Sequence, residues 1–166
     1  MRKQNAIPVA SNLSCEPLEP DSFHMAFVYD LLTSEKNIEA LRLRMMQPGE
    51  RKAFYQEMKV ALQSNDPDEA HFIVCQGTVL VAWLKINGLQ GDRAWISMLV
   101  VHERFQRQGI GSFSIGFAEV FAKSKGIAAM GIHTTTDNIP ARDCYQKLGY
   151  AITEESEGQY TFFKRI

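Results

Sequence analysis

Two textures of apolar patterning divide the chain. In the first third, apolar residues recur at helical spacing; from about residue 70 they run as short strands, and the two periods then interleave. Phe23, Phe27, Val28, Leu31 and Leu32 mark one face of a helix opened by Pro20-Asp21-Ser22. Residues 33–47 read as partly helical, with Leu41, Leu43, Met45 and Met46 as apolar contacts, and Phe54, Met58, Ala61 and Leu62 mark an amphipathic helix from Glu50 to Leu62. Residues 1–11 are polar and mixed, a flexible tail by expectation. The prolines within 14–22 confine any strand there to a sheet edge.

Beyond 70 the pattern predicts strands at roughly 70–76, 78–87 and 93–101, parted by Gly77 and by NGLQGD. Such short connections make an antiparallel meander. A helix over about 109–125 follows, apolar at Ile110, Phe113, Phe117, Val120 and Phe121 and ended by Lys125-Gly126. Then come a strand at 128–134, a helix from Asn138 to Leu148 and strands at about 150–154 and 159–165. The strand–helix–strand passage 95–134 demands a parallel neighbour, so the sheet is mixed.

At 166 residues the chain reads as a single domain over 12–166, burying roughly 70% of its unfolded surface without metal or disulfide. Its formal net charge of -1 leaves no basic footprint for nucleic acid, so any anion site must be local. No apolar run approaches the ~18 residues of a membrane span, and the N-terminus has no apolar leader region, so neither membrane nor secretion is expected. Cys15, Cys75 and Cys144 follow no CxxC spacing; Cys75 and Cys144 read as buried reduced thiols, which suits the cytoplasm. His24 and His102 read as surface residues, and no two histidines sit at metal-ligand spacing, so no metal is expected.

One stretch carries chemistry. VVHERFQRQGIGS, Val100 to Ser112, runs a β-branched strand end into a polar loop and places two glycines where a helix begins. The first four N–H groups of a helix lack intrahelical partners, and its dipole adds about half a positive charge there. Gly109 and Gly111 let backbone approach a bulky anion, and Gln106, Arg107 and Gln108 add donors. The spacing is neither GxGxxG nor a Walker loop, which would continue with Gly-Lys-Ser/Thr.

One strand later stands NIPARDCYQKLGY. The two stretches together resemble the GNAT superfamily of N-acetyltransferases. Gln106, Gly109 and Gly111 fill its Arg/Gln-x-x-Gly-x-Gly/Ala pattern; Asn138, Ala141, Tyr145, Lys147, Gly149 and Tyr150 fill its second pattern, and the likeness covers roughly 70–155. The resemblance implies an α/β fold: a mixed, mostly antiparallel twisted sheet of about six to seven strands, flanked by about four helices and split between two central strands. It implies acetyl-CoA as cosubstrate. The pyrophosphate would lie on backbone N–H groups of Arg107, Gln108, Gly109, Ile110, Gly111 and Ser112, and the pantetheine arm would pair with Leu99, Val100 and Val101 like an added strand. Asn138, Ala141 and Lys147 would complete the cofactor site, Asn138 being equally suited to cap its helix. Tyr145 would offer its hydroxyl to the departing thiolate.

The reaction so implied is transfer of an acetyl group to a primary amine of a small molecule or peptide, by direct attack in a ternary complex. Many members of the family carry a Glu before the pyrophosphate loop; here that strand reads WISMLVV, without a carboxylate. Ser97 is a candidate to hold a water, and His133, on the next strand, a candidate base whose bland alternative is a structural role. His71, Trp83 and Phe27 are candidates to line the acceptor pocket, against ordinary packing. The rivals are transfer of another acyl group and a CoA-binding sensor without catalysis. Homodimers are common in the family. The acceptor is not legible from the helices before residue 70.

Overall fold

The computed structural model describes residues 12–41 and 50–166. Seven strands form one sheet in the order β1–β2–β3–β4–β5–β7–β6. Its antiparallel half is β1 (Leu13–Pro17), β2 (Glu69–Gln76), β3 (Val79–Asn87) and β4 (Arg93–Val101). β4 pairs in parallel with β5 (Ala129–Thr135); β5 pairs with β7 (Gln159–Arg165), and β7 with the edge strand β6 (Ala151–Ser156). The mixed sheet, the meander and the proline-bearing edge strand follow the sequence pattern, the edge strand ending at Pro17 rather than running to 22. Five helices are described where about four were expected: α1 (Ser22–Thr33), α2 (Glu35–Leu41), α3 (Arg51–Gln63), α4 (Ile110–Ser124) and α5 (Ile139–Lys147). None of them is long and apolar enough to cross a membrane. The expected tail at 1–11 and the contacts of Leu41, Leu43, Met45 and Met46 lie outside the described residues and side chains.

Each sheet face has its own core. On one, Val28, Leu31 and Leu32 of α1 pack on Ile73, Cys75, Trp83 and Val100, with Phe54, Met58 and Leu62 of α3 alongside. On the other, Ile115, Ala118 and Ala122 of α4 pack on Leu84, Ile86, Ala94, Ile96 and Met130, joined by Tyr145 and Leu148 of α5. α4 and the first three helices therefore stand on opposite sides of the sheet.

Two predicted helix faces are rotated. Phe23 is 65% and Val120 69% exposed; the buried stripes run through Met25, Val28, Leu31 and Leu32 in α1 and through Ile110, Ser114, Ile115, Ala118 and Ala122 in α4. Alanines bring α4 close to the strands, while Phe117 and Phe121 stay half-buried beside it, edge-on to Phe72 at 4.8 and 4.9 Å. α4 ends where predicted: Ile127 N–H bonds the Ala122 carbonyl and Gly126 N–H that of Lys123, a Schellman arrangement.

His24 is buried, not a surface residue. Its N–H is held by the capping Asp21 carboxylate at 2.7 Å, its Nδ1 accepts from Glu19 N–H at 3.0 Å, and Nε2 lies 3.4 Å from Glu16, so it clasps the turn that enters α1. Half-buried His102 accepts from Arg104 N–H at 3.2 Å and caps the 3-10 turn Glu103–Phe105. Cys75 is buried as expected, whereas Cys144 is half-buried because α5 turns it toward the end of α4; all three cysteines are free.

Candidate active site

The sheet divides at one rung. β4 and β5 pair only from Arg93–Ala129 to Ile96–Ile132. Beyond it β5 continues against β7 alone, and β4 against β3 alone. At the same point β4 carries a bulge: Ile86 faces Ile96 and Lys85 faces Met98, leaving Ser97 as the extra residue. Ser97 and His133 are thus the first residues past the last shared rung, one on each strand. Both are exposed.

Past the bulge the backbone polarity of β4 is settled by one contact. His102 N–H donates to the Val81 carbonyl at 2.9 Å, on the β3 side. The trans peptide before it turns the Val101 carbonyl the other way, and strand alternation makes Leu99 and Val101 the residues whose N–H and C=O face the gap. Val100 is spent on Trp83 across the β3 rung, and its side chain is 2% exposed in the core under α1, so of the three expected residues it alone turns its backbone away from the gap. Gln106 enters the gap from above: its Nε2 donates to the Val101 carbonyl at 3.2 Å and to Asn37 Oδ1 at 3.5 Å. Buried Asn37 in turn donates to the Leu31 carbonyl at 2.9 Å, tying α2 to the loop before α4.

That loop ends in two left-handed residues, Arg107 at φ 63° and Gly109 at φ 84°. Gly109 caps α4 without a side-chain hydrogen bond, so the N–H groups of Ile110, Gly111 and Ser112 have no capping acceptor. A Cβ placed on Gly109 or Gly111 would meet no protein atom within 4 Å. Gly111 has neither positive φ nor a close neighbour to require it, so the empty volume above the helix end is what the missing Cβ preserves. These residues fit a diphosphate. Ile110 itself is 1% exposed, so only its backbone is available. Gln108 Nε2 is turned back onto the Arg104 carbonyl at 3.1 Å, and Arg107 is exposed.

α5 lies beside this cradle. Ser112 Oγ and Cys144 Sγ are 3.5 Å apart across the two helices. Asn138 Oδ1 accepts from Ala141 N–H at 3.3 Å, so its oxygen is the helix cap that the sequence allowed as an alternative. Half-buried Tyr145 lies edge-on to Phe162 at 5.4 Å. Burial, with Cys144 alongside, pushes its phenol above the ordinary tyrosine range, so it is a hydrogen-bond donor rather than a ready acid. Lys147 is exposed and Ala141 half-buried on the same helix.

On the opposite face stands an aromatic floor. Trp95 lies flat against His133, centroids 4.6 Å apart with planes 7° apart, and edge-on to Phe163 at 4.7 Å. Gly131 makes this possible: a Cβ there would sit 2.6 Å from the Trp95 ring. His133 Nδ1 is 3.1 Å from Thr161 Oγ1, which fixes the ring and leaves Nε2 outward. Ser97 Oγ reaches the Lys85 carbonyl at 3.4 Å. His71 and Trp83 stack at 6.0 Å, and Phe27 is half-buried against the cluster that holds Trp83 and Val100. Ser97 and His133 thus stand at the head of the split, while Trp83 and Phe27 belong to the core that Val100 joins beyond it. Sequence reasoning missed Glu69 and Lys85, whose carboxylate and ammonium meet at 2.7 Å beside His71. A lone charged residue on an alternating strand gives no sign of its cross-strand partner.

Comparison with known proteins agrees with this architecture. Residues 26–150 match the model of the acetyltransferase (GNAT) family. The chain is 27% identical to streptothricin acetyltransferase of Escherichia coli over 152 residues, 90% of this chain and 81% of that protein. Spermidine N-acetyltransferase of Vibrio cholerae, solved with CoA and spermine, superposes with a TM-score of 0.75 at 14% identity, covering 94% of this chain and 95% of that one. The PaiA N-acetyltransferase of Thermoplasma acidophilum, solved with coenzyme A, gives 0.70 at 17% identity over 93% and 99% of the two chains. A sheet that divides at Ser97 and His133, under a helix end stripped of caps, is thus explained by descent: the chain belongs to the GNAT acetyltransferase family and is an N-acetyltransferase.

Proposed function

We propose that the protein transfers an acetyl group from acetyl-CoA to a primary amine of a small molecule or peptide, by direct attack within a ternary complex. One observation carries this reading: the gap between β4 and β5 begins at Ser97 and His133 and leads to the uncapped end of α4. Backbone amides from Arg107 to Ser112 would hold the pyrophosphate, and Leu99 and Val101 would pair with the pantetheine arm. Gln106 already occupies the Val101 carbonyl and so shapes the entrance. Bound there, the cosubstrate supplies an activated acetyl thioester. The names of the CoA-bearing relatives support that choice, and those of the streptothricin and spermidine enzymes support a small amine as acceptor.

The chain's own residues divide the remaining work. A lysine-like amine with pKa about 10.4 must lose its proton, at a cost of about 4.6 kcal/mol at pH 7. His133, held at Nδ1 and open at Nε2, accepts that proton directly or through a water on Ser97 Oγ. Tyr145 would donate a hydrogen bond to the sulfur as the C–S bond breaks and its electron pair passes to the departing thiolate. The Leu99 N–H is available to charge building on the acetyl oxygen. The test is incubation with acetyl-CoA and a pooled panel of amines, following free thiol and acetylated products by mass spectrometry. Amine-dependent thiol release with a product heavier by one acetyl group is the expected result; none from any amine, by protein that binds CoA, would overturn it.

A further inference from the structure

Two side-chain amides join one side of the sheet to the other. Gln106 and Asn37 lie 69 residues apart in sequence, and each is oriented by a backbone carbonyl. A carbonyl only accepts, so the Val101 carbonyl at 3.2 Å fixes which end of the Gln106 amide is Nε2, and the Leu31 carbonyl at 2.9 Å does the same for Asn37 Nδ2. Asn37 Oδ1 is then left facing Gln106 Nε2 at 3.5 Å, the longest contact in the chain. Leu31 stands in the last turn of α1, where carbonyls outnumber helical donors, and Asn37 serves it from the next helix. Asn37 is 4% exposed although Asn is a weak helix former; its side chain is kept for these hydrogen bonds.

At the other end, the Val101 carbonyl turns into the β4–β5 gap, where it is suited to accept from an amide of the pantetheine arm. Gln106 holds that same carbonyl. An arm N–H arriving there competes with the Gln106 N–H, and the displaced amide has an acceptor in reach, Asn37 Oδ1. The far side of the link faces the chemistry. Ile96 and Ile132 belong to the core under α4, so by strand alternation Trp95 and His133 face the side on which α1 packs. α2 follows α1 directly, and Asn37 bonds it to the last turn of α1. A displacement at Val101 is therefore felt by the helix pair on the side to which His133 opens.

We propose that Asn37 is a positioning residue linking the two substrates: when the pantetheine arm takes the Val101 carbonyl, the Gln106 amide closes on Asn37 Oδ1 and firms α2, so that coenzyme A orders the side of the sheet from which the amine arrives. Asn37 acts through Gln106 rather than on either substrate. Because α2 is ordered once for both, cosubstrate and acceptor strengthen each other's binding. This rests on the acetyl-transfer reading above.

The experiment is hydrogen exchange, read by mass spectrometry on the full chain with and without saturating coenzyme A. Amides of residues 99–112 report direct contact with the cofactor, and those of Glu35–Leu41 report α2. In the parent, exchange across α2 should slow by about threefold or more with coenzyme A. Asn37→Leu, and Gln106→Met from the other end, should keep the slowing over 99–112 and lose it in α2; either variant suffices where the other does not fold. A second readout uses protein with ¹⁵N-labelled asparagine: the Asn37 side-chain amide resonances should shift on titration with coenzyme A in the parent and stay in place in Gln106→Met. An α2 that exchanges at one rate with and without coenzyme A, in protein protected over 99–112, overturns the proposal. Slowing of α2 in the variants equal to that in the parent overturns it as well. Failure of the underlying reading looks different, with no protection over 99–112 and no heat of binding in calorimetry, and the link falls with it.

Discussion

His133 and Ser97 flank the point at which β4 and β5 part company, each the first residue beyond the Ile96–Ile132 rung. The bulge leaves Ser97 outside the β3 register, its hydroxyl on the Lys85 carbonyl, and the Thr161 hydroxyl holds His133. Their strands are paired neighbours up to that rung and separate beyond it, so the two side chains stand at the mouth of the gap.

From this follows the most direct mechanistic test. His133→Gln keeps much of the side-chain volume over Trp95 but removes the imidazole proposed as the base. A general base contributes typically 10²–10⁴-fold, so kcat for the amine should fall by about 10²-fold or more while the Kd for CoA holds. Steady-state kinetics with calorimetry checks both. A loss below about threefold would take proton transfer away from His133.

Gly111 tests the cradle more cleanly than Gly109, whose φ of 84° would strain any other residue. A side chain at Gly111 meets no protein atom and stands over the uncapped amides. Gly111→Val should leave the melting temperature within a few degrees of the parent and weaken CoA binding at least about tenfold, or 1.4 kcal/mol. Unchanged affinity would contradict anion binding at this helix end.

Tyr145→Phe removes a hydroxyl and keeps the edge-on contact with Phe162. A hydrogen bond to a charged group is worth about 1.5–3 kcal/mol, so kcat should drop by roughly ten- to a hundredfold with little change in CoA affinity. Because burial raises the phenol's pKa, Tyr145 keeps its proton up to and beyond pH 10, and the variant should be slower without a change in the alkaline shape of the rate profile. An alkaline limb lost in the variant would show that the phenol does ionise during turnover.

Much of this site is readable in the sequence because its parts are local. The cradle lies within Val100 to Ser112, where strand end, loop and helix start follow one another, and α5 with Asn138 and Tyr145 is a single segment. What escapes is relational. The Ser97 bulge exists only in the register of β4 against β3, and the Glu69–His71–Lys85 cluster only in that of β2 against β3. The face of α4 was misjudged because phenylalanines at helical spacing suggest a core stripe, whereas close approach to the sheet selects Ala118 and Ala122. His24 likewise is buried by residues 16–19, which a helical wheel does not see.

Gly131 buries a structural debt under the active-site floor. An added methyl would lie 2.6 Å from the Trp95 ring and 3.0 Å from Phe163, so the rings would have to shift to admit it. Overpacking of this kind costs about 1–3 kcal/mol. Gly131→Ala should lower the urea midpoint accordingly and, by lifting Trp95, disturb His133 and slow turnover. Parent-like stability would mean that Trp95 does not rest on β5 in solution.

Two thiols in the β1–β2 region make the fold lose stability as pH rises. Burial, with Cys75 nearby, pushes Cys15 from 9.0 up to about 12, and burial with Glu16 nearby pushes Cys75 up to about 11. The unfolded chain therefore releases these protons first as pH rises. It then binds fewer protons than the native chain, and stability falls with pH. This contribution is complete below about pH 9 and is lost progressively as pH climbs through the native values. Tyr145 and Tyr150, both pushed up by loss of water around the phenol, add to the fall from about pH 10. Urea midpoints measured on either side of this window should be level on the acid side and fall on the alkaline side, and the double variant Cys15→Ala, Cys75→Ala, although weaker at neutral pH, should lose less across it. An equal loss in parent and variant would remove the thiols from the alkaline transition.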